Sequence, residues 1–212
     1  DYTKGILERF LAVERLLELQ PEWVGTFSFI QIAAPSRSKI DQYKQFTQQV
    51  IASAKRINER FGREGYRPIH LLIEHHEPKE VTTYYRGADF CIVSSLHDGM
   101  NLVAKEFVAA RDDEQGVLIL SEFTGAATEL PEALIVNPYN IDQCAAALHL
   151  ALTMPPTEQR ARMRSMRGIV QEFNVYRWAG RMLMDAARMR QRARLARQMG
   201  VRDARTTTGD QA

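Results

Sequence analysis

The chain has 212 residues, of which 45% are hydrophobic and 25% are charged, as is ordinary for a packed globular protein. Its 28 basic and 26 acidic residues leave a net charge of +2, so no broad positive field favours nucleic acid as a partner. The sequence has no signal peptide and no apolar run near the roughly 20 residues of a membrane helix. We therefore expect a cytoplasmic protein with no membrane partner. Because the chain starts at Asp1 without a methionine, we interpret it as a piece of a longer protein.

Apolar spacing predicts an alternation of helices and short strands. In chain order, the sequence predicts a helix at Ile6 to Leu19, a strand within Trp23 to Ala34, a helix at Ser38 to Phe61, a strand at Ile69 to Ile73, a helix at Glu80 to Gly87, a strand at Phe90 to Ser94, a helix at Met100 to Arg111, a strand at Val117 to Leu120, a helix at Gly125 to Leu130, a strand at Leu134 to Val136, and helices at Ile141 to Leu152, Glu158 to Glu172 and Tyr176 to about Met199. In the first helix, Glu8, Arg9, Glu14 and Arg15 are predicted to lie outside the apolar face.

Continuous apolar strands separated by helices are typical of a parallel sheet covered on both faces. We therefore predict an α/β fold with a Rossmann-like, doubly wound parallel sheet over residues 1–178. A basic helix is predicted at 179–202, either as a solvated face or as a surface for an anionic partner. Residues 203–212 have no apolar side chain to bury and are predicted to be disordered.

Ligands of doubly wound sheets bind beyond the carboxyl ends of the strands. That rule selects four loops: Ser36 and Arg37, Glu74 to Glu77, Leu96 to Gly99, and Glu122 to Gly125.

The stretch DFCIVSSLHDGMNLVAKEFVAA, from Asp89 to Ala110, is a predicted strand–loop–helix unit. Gly99 would let the backbone approach a ligand, and the first helical turn, with Met100 and Asn101, would present unpaired N–H groups. The positive end of the helix dipole favours an anion there. A glycine that serves only the turn is the alternative.

Four side chains are candidates for chemistry, each with a simpler alternative. Lys4, in a polar segment ahead of a helix, could neutralise a phosphate leaving group or be a surface lysine. Arg37 follows a strand and has the donor geometry for phosphate, or is a loop arginine. Asp98 could accept from sugar hydroxyls or cap the following helix. Glu106 could accept from a ribose or be solvated.

Other kinds of site lack a motif. The five histidines include the adjacent pair His75 and His76, but not the spacing of a zinc-binding helix. Cys91 and Cys144 lie in apolar segments without C-x-x-C, so both are predicted to be buried thiols. No Walker loop, nucleophile elbow or G-x-G-x-x-G is present. We expect no metal and no cofactor.

The run DGMNLVAKE from Asp98 to Glu106 resembles the trehalose-6-phosphate synthase family of retaining glycosyltransferases. GVLILSEFTGAATEL from Gly116, ALIVNPYN from Ala133, DYTKG at Asp1 and the APSR loop match further signatures of that family. The similarity covers roughly residues 1–178 and implies the carboxyl-terminal, donor-binding half of a GT-B enzyme. The amino-terminal domain, with most acceptor contacts, would lie outside this chain, so the fragment alone is expected to be inactive.

The resemblance also implies roles for individual residues. Lys4 would contact the donor phosphates and, with Asp98, serve catalysis, and Asp98 would bind the donor glucose hydroxyls. Glu106 would bind the ribose, and Arg37 the phosphate of glucose 6-phosphate. At His76 and Val81 the backbone would meet the uracil. The amides of Gly99, Asn101, Leu102 and Val103 would hold glucose and diphosphate, and Met100 is a further donor-binding position.

The implied reaction moves glucose from UDP-glucose to glucose 6-phosphate, giving trehalose 6-phosphate and UDP. The sequence leaves three alternatives open: a relative with another phosphorylated acceptor such as glycerol 3-phosphate, a pseudo-glycosyltransferase with a cyclitol donor, and a non-catalytic module that senses nucleotide sugars. It also leaves open whether the full-length enzyme forms a homo-oligomer.

Overall fold

The computed structural model describes the backbone of residues 2–35 and 41–206, and within these ranges the side chains as far as residue 197. The chain divides into two compact units, Asp1–Val170 and Gln171–Ala212. Within the described residues, no helix is both long enough and apolar enough to span a bilayer.

Helices and strands alternate along the first 172 residues of the chain. The strands are β1 (Phe29–Ile32), β2 (Ile69–Leu72), β3 (Phe90–Val93), β4 (Val117–Ser121) and β5 (Leu134–Val136). The helices are α1 (Ile6–Leu19), α2 (Asp41–Phe61), α3 (Pro78–Gly87), α4 (Leu102–Ala110), α5 (Ala126–Glu129), α6 (Ile141–Thr153) and α7 (Pro156–Glu172), with short 3-10 turns at Tyr2–Lys4 and Pro21–Trp23.

Among the described residues, all strand pairs of these five strands are parallel. β1 pairs with β2, and β3, β4 and β5 form a second hydrogen-bonded group with β4 at its centre. The two groups meet through aromatic rings, because Phe90 of β3 stacks on Phe27 and Phe29 with centroids 6.1 and 6.5 Å apart. The starts of β1 and β3 meet at Phe29 and Phe90, and Arg9 joins Gln31 of β1 to Ser94 after β3, so all five strands point their carboxyl ends toward one edge.

Helices cover both faces of the central strand β4, whose five residues are all buried. Val117 and Ile119 pack into a core formed with α1, α2 and α6. Leu118 and Leu120 pack into a second core with residues of α4, α5 and α7. This alternation explains the uninterrupted apolar run VLIL and confirms the predicted doubly wound α/β architecture.

The strand expected within Trp23 to Ala34 is β1, Phe29–Ile32, and Trp23 itself ends a 3-10 turn that begins at Pro21. Glu14 does not lie outside α1 but is 7% exposed, since Arg56 and Arg60 of α2 donate hydrogen bonds to its carboxylate.

In the second unit, helix α8 runs from Val175 to Thr206. The guanidinium groups of Arg177 and Arg181 lie 4.3 and 5.4 Å from the centroid of the Phe173 ring. The helix includes the first four residues of the segment that we expected to be disordered. Ala204 and Arg205 have high helix propensity and no glycine or proline interrupts them. Residues 207–212 lie outside the described part of the chain.

Candidate functional site

The loops selected from the sequence follow the carboxyl ends of parallel strands and so lie along one edge of the fold. The loop after β3 is tied to the loop after β4, since Asp98 forms a parallel bridge with Thr124. Arg37 lies in residues 36–40, outside the described residues, so its expected phosphate contact stays a prediction.

At the centre of this edge, Lys4 and Asp98 form an ion pair. The Lys4 Nζ atom lies 2.7 Å from Asp98 Oδ2, and the two side chains are 48% and 16% exposed. Asn101 Nδ2 donates to the same carboxylate oxygen at 3.2 Å, and Ser95 Oγ donates to it at 3.5 Å. A cation and an acidic acceptor thus share one partly open site.

The environment of Asp98 favours its charged form. Burial raises the pKa of this carboxyl, but the hydrogen bond and charge of Lys4, with the donors of Asn101, outweigh burial. The pKa of Asp98 is therefore held below its ordinary value of 3.8, and the side chain is a carboxylate at neutral pH.

Asn101 caps helix α4. We had expected it to lie in the first turn of this helix, but it lies just before that turn. Its side-chain Oδ1 accepts from the backbone N–H of Ala104 at 3.0 Å, and its φ of 56° lies in the left-handed region. Asn101, not Asp98, is therefore the capping residue. Helix geometry leaves the amides of Leu102 and Val103 without an acceptor inside the helix.

Gly99 does not supply the left-handed conformation of this loop, because Asn101 does. A Cβ atom on Gly99 would meet nothing within 4 Å. The backbone of Gly125, in contrast, packs closely against that of Gly99. A Cβ atom added to Gly125 would lie 1.9 Å from the carbonyl oxygen of Gly99. Gly125 N–H also donates to Asp98 O at 3.1 Å. The loop after β4 therefore braces the loop that carries Asp98 and Gly99.

The turn that carries Lys4 is attached to the end of β3. Leu96 N–H donates to Thr3 O at 2.8 Å, and Ser94 Oγ donates to Gly5 O at 2.7 Å. Gly5 has a φ of 61°, and a Cβ atom there would lie 1.9 Å from Ser94 O. Only glycine permits this approach, which brings the Lys4 backbone beside the strand end.

Arg9 is a further residue of this region that the sequence interpretation placed on the outside of α1. Its guanidinium donates to Lys4 O at 3.0 Å and to Ser94 Oγ at 3.1 Å. The spacing contained a signal: Arg9 lies three residues after Ile6 and four before Val13, both buried, and so shares their face.

Glu106 is an exposed residue of α4 whose Oε2 lies 3.4 Å from the hydroxyl of Tyr85. Three other residues near the start of this helix that are expected to bind the donor also have exposed side chains. They are Met100 at 48%, Leu102 at 58% and Val103 at 44%.

His76 and Val81 lie in the separate loop and helix that follow β2. The His76 side chain is 10% exposed, with Nδ1 3.5 Å from Glu80 Oε2 and its ring edge-on to Tyr84. The Val81 amide donates to Glu77 O at 3.1 Å. The N–H of Val81 is thus already used by the helix, and the described contacts do not join these two residues to the Lys4–Asp98 pair.

Within the described residues, no three His, Cys, Asp or Glu side chains are grouped so that they could hold a metal ion. The donors that the site presents to an anion are the ammonium of Lys4 and the amides at the start of α4. Its negative group is Asp98. The arrangement suits a ligand that carries both an anionic part and neutral hydroxyl groups.

The chain is similar to proteins of known activity. It is 44% identical to the trehalose-6-phosphate synthase of Klebsiella pneumoniae over 201 residues, which are 94% of this chain and 42% of that protein. A Burkholderia xenovorans UDP-forming trehalose-phosphate synthase in complex with glucose 6-phosphate superposes with a TM-score of 0.86, at 45% identity over 87% of this chain and 41% of that one. A structure from E. coli bound with UDP-2-fluoro glucose gives a TM-score of 0.86 at 44% identity, again over 87% of this chain and 41% of that one.

This chain therefore spans about 42% of the length of a curated relative that it matches. The family model for glycosyltransferase family 20 matches residues 1–188, which is most of the sequence. The chain belongs to glycosyltransferase family 20.

Proposed function

We propose that this chain is the donor-binding half of a retaining glucosyltransferase that acts in trehalose biosynthesis. The enzyme would move glucose from UDP-glucose to glucose 6-phosphate, giving trehalose 6-phosphate and UDP. The observation that carries this proposal is the ion pair of Lys4 and Asp98 at the start of α4, at the carboxyl edge of a doubly wound sheet.

The diphosphate of the donor would lie between Lys4 and the start of α4. The amides of Leu102 and Val103 lack intrahelical acceptors and lie at the positive end of the helix dipole. An ammonium and two amides neutralise negative charge that builds up on a leaving diphosphate, which makes the leaving group better. All three groups, the ammonium of Lys4 and the two amides, are supplied by this chain.

Asp98 would accept hydrogen bonds from hydroxyl groups of the donor glucose, because it is ionised at neutral pH and partly exposed. Glu106, exposed on α4, would accept from the ribose. The backbone near His76 would meet the uracil, and the packed His76 ring supports a role for its backbone rather than its side chain. At Val81 the carbonyl or side chain, not the amide, would face the base.

In the proposed reaction, the bond between the glucose anomeric carbon and the diphosphate oxygen breaks. A bond from the acceptor hydroxyl oxygen forms on the same face of the sugar. The proton of that hydroxyl passes to the departing diphosphate, so the protein needs no nucleophile. Lys4 and the α4 amides hold the diphosphate, and Asp98 fixes the sugar.

The rest of the protein would supply most acceptor contacts, and Arg37 of this chain would reach the acceptor phosphate. The relative from Burkholderia xenovorans in complex with glucose 6-phosphate supports this choice of acceptor. We assign the donor-binding domain to residues 1–178 and the basic segment that follows it to helix α8, and we place the protein in the cytoplasm.

Calorimetric titration of the purified 212-residue chain tests the donor site. We expect UDP to bind, and Lys4→Ala to weaken its affinity by about ten-fold, which is the loss of one charge-assisted contact. Uridine, which lacks phosphates, should bind both proteins equally. Lys44→Ala, on the exposed face of α2, is the control and should leave UDP affinity unchanged.

Failure of the wild-type chain to bind either UDP or UDP-glucose would contradict the proposal. Turnover of the full-length protein with glucose 6-phosphate, glycerol 3-phosphate and a cyclitol donor then tests the substrates. Product formation with glucose 6-phosphate is expected, and a preference for another pair would identify a different enzyme of the same family.

A further inference from the structure

Arg9 is a charged residue near the site that the sequence analysis placed outside the apolar face of the first helix. It lies on α1, and burial lowers the pKa of its guanidinium to about 10, so it remains protonated at neutral pH. Among the residues that the structure describes, its side-chain acceptors are neutral and no carboxylate lies within ion-pair distance of it. A partly buried cation without an anionic partner is costly unless its donors are well used.

The donors of Arg9 are distributed over three segments. Nε donates to Ser94 Oγ at 3.1 Å, Nη1 donates to Gln31 Oε1 at 2.7 Å and Nη2 donates to Lys4 O at 3.0 Å. Gln31 is a buried residue of β1, and Ser94 follows β3. One planar group therefore connects two strands to the turn that precedes α1.

Ser94 extends this connection. While its Oγ accepts from Arg9, its hydroxyl donates to Gly5 O at 2.7 Å. The carbonyls of Lys4 and Gly5 are thus both held, one by Arg9 directly and the other through Ser94. Removing the guanidinium leaves Lys4 O and Ser94 Oγ without a donor at the same time.

The Lys4 side chain itself has little to hold it. It is 48% exposed, and its one described polar contact is the Asp98 carboxylate. A long lysine side chain loses rotational entropy when it is fixed, and exposed ion pairs contribute at most about 1 kcal/mol. The position of its ammonium group therefore depends on where the backbone of residues 4 and 5 is held.

We propose that Arg9 is a positioning residue for phosphate binding, which holds the Lys4 turn so that the Lys4 ammonium reaches the donor diphosphate. This inference rests on the proposed donor site. Arg9 acts through Lys4 and does not touch the ligand. Loss of Arg9 therefore weakens the binding of phosphate-bearing ligands, and only while Lys4 is present.

A double-mutant cycle tests this dependence by calorimetry with UDP. Arg9→Met is expected to weaken UDP affinity by about five- to ten-fold, as expected for losing most of one charge-assisted contact. Lys4→Ala should do the same, and the double variant should bind no more weakly than Lys4→Ala alone. Losses that multiply in the double variant, or an Arg9→Met protein with wild-type affinity, would overturn the proposal.

Arg111→Met is the matched control. Arg111 is 5% exposed, and its guanidinium donates to the carbonyls of Tyr85, Arg86 and Ala88 at the end of α3. Its loss should lower the melting temperature and leave UDP affinity unchanged. A general loss of packing would affect both arginine variants alike, whereas positioning affects only Arg9.

Two further measurements keep the test decisive. If Arg9→Met does not fold, Ser94→Ala removes the shared hydroxyl with a small volume change and should also weaken UDP binding. Carbon NMR of the Asp98 carboxyl needs no ligand: Lys4→Ala should raise the Asp98 pKa, and Arg9→Met or Ser94→Ala should raise it in the same direction. An unchanged Asp98 pKa in the Arg9 and Ser94 variants contradicts the positioning role, whereas absent UDP binding by the wild type contradicts only the donor site.

Discussion

Lys4 Nζ and Asp98 Oδ2 lie 2.7 Å apart although 94 positions separate the two residues in the sequence. The contact joins the turn before α1 to the loop after β3. Both segments are attached to the same strand end, since Leu96 N–H donates to Thr3 O at 2.8 Å. This main-chain hydrogen bond therefore helps to bring a cation and a carboxylate together, and it involves only groups of the protein.

Asp98 is the residue for which we predict the largest effect on turnover. In the full-length enzyme, Asp98→Ala should lower kcat with UDP-glucose and glucose 6-phosphate by about 100-fold or more, because a charged acceptor to the donor sugar is lost. Asp98→Asn keeps one acceptor oxygen and should lose less. Asp112→Asn, at an exposed ion pair with Arg86, is the control. Near-normal activity of Asp98→Ala would remove this residue from the site.

The ion pair should also be visible in the pH dependence of stability. The pKa of Asp98 is lowered in the folded protein, so its contribution is present above the ordinary value of 3.8 and is lost as the pH falls through the lowered folded pKa. The free energy of unfolding in urea should differ between wild type and Lys4→Ala by at most about 1 kcal/mol near neutral pH. This difference should shrink below about pH 4. A difference that stays constant down to pH 2 would exclude the pair as its source.

Gly125 is predicted to be intolerant of a side chain. An added Cβ would lie 1.9 Å from Gly99 O, so Gly125→Ala should displace the loop that carries Asp98. We expect UDP-glucose affinity to fall at least about ten-fold, because the displaced loop would no longer hold Asp98 in position to contact the donor. Gly168→Ala in α7 is the matched control, because a Cβ there meets nothing within 4 Å, and it should stabilise the fold by about 1 kcal/mol. Equal donor binding by both variants would contradict the bracing role.

Asn101 combines a capping side chain with a left-handed backbone. Asn101→Gly loses the cap but keeps the backbone conformation, whereas Asn101→Ala also strains the φ of 56°. In urea unfolding, alanine should therefore cost about 1 kcal/mol more than glycine at this position. Asn140, the cap of α6, has a φ of −93°, so the difference between alanine and glycine should be smaller there. If alanine and glycine differ more in unfolding free energy at Asn140 than at Asn101, backbone strain does not explain the effect at Asn101.

Much of the fold could be predicted because local spacing reports local structure. The helix at Ile6–Leu19 and the strand at Leu134–Val136 have the expected bounds. The apolar run from Val117 correctly indicated a strand buried on both faces. The prediction that Glu14 lies outside the apolar face of α1 was wrong because its burial depends on Arg56 and Arg60, which lie 42 and 46 residues away. The spacing of residues within α1 carries no information about these two distant partners.

By itself, the sequence determined the order of helices and strands and indicated the edge at which ligands are expected to bind. Both follow from periodicity and from the rule for parallel sheets, which need only neighbouring residues. Lys4 and Asp98 were candidates because of their positions in polar segments and because of the family resemblance. Only the tertiary structure decided that Asn101 caps α4, that Gly125 packs against Gly99 O, and that Arg9 turns inward to hold Lys4 O. Each of these depends on which backbone atoms the folded chain brings within hydrogen-bonding or van der Waals distance.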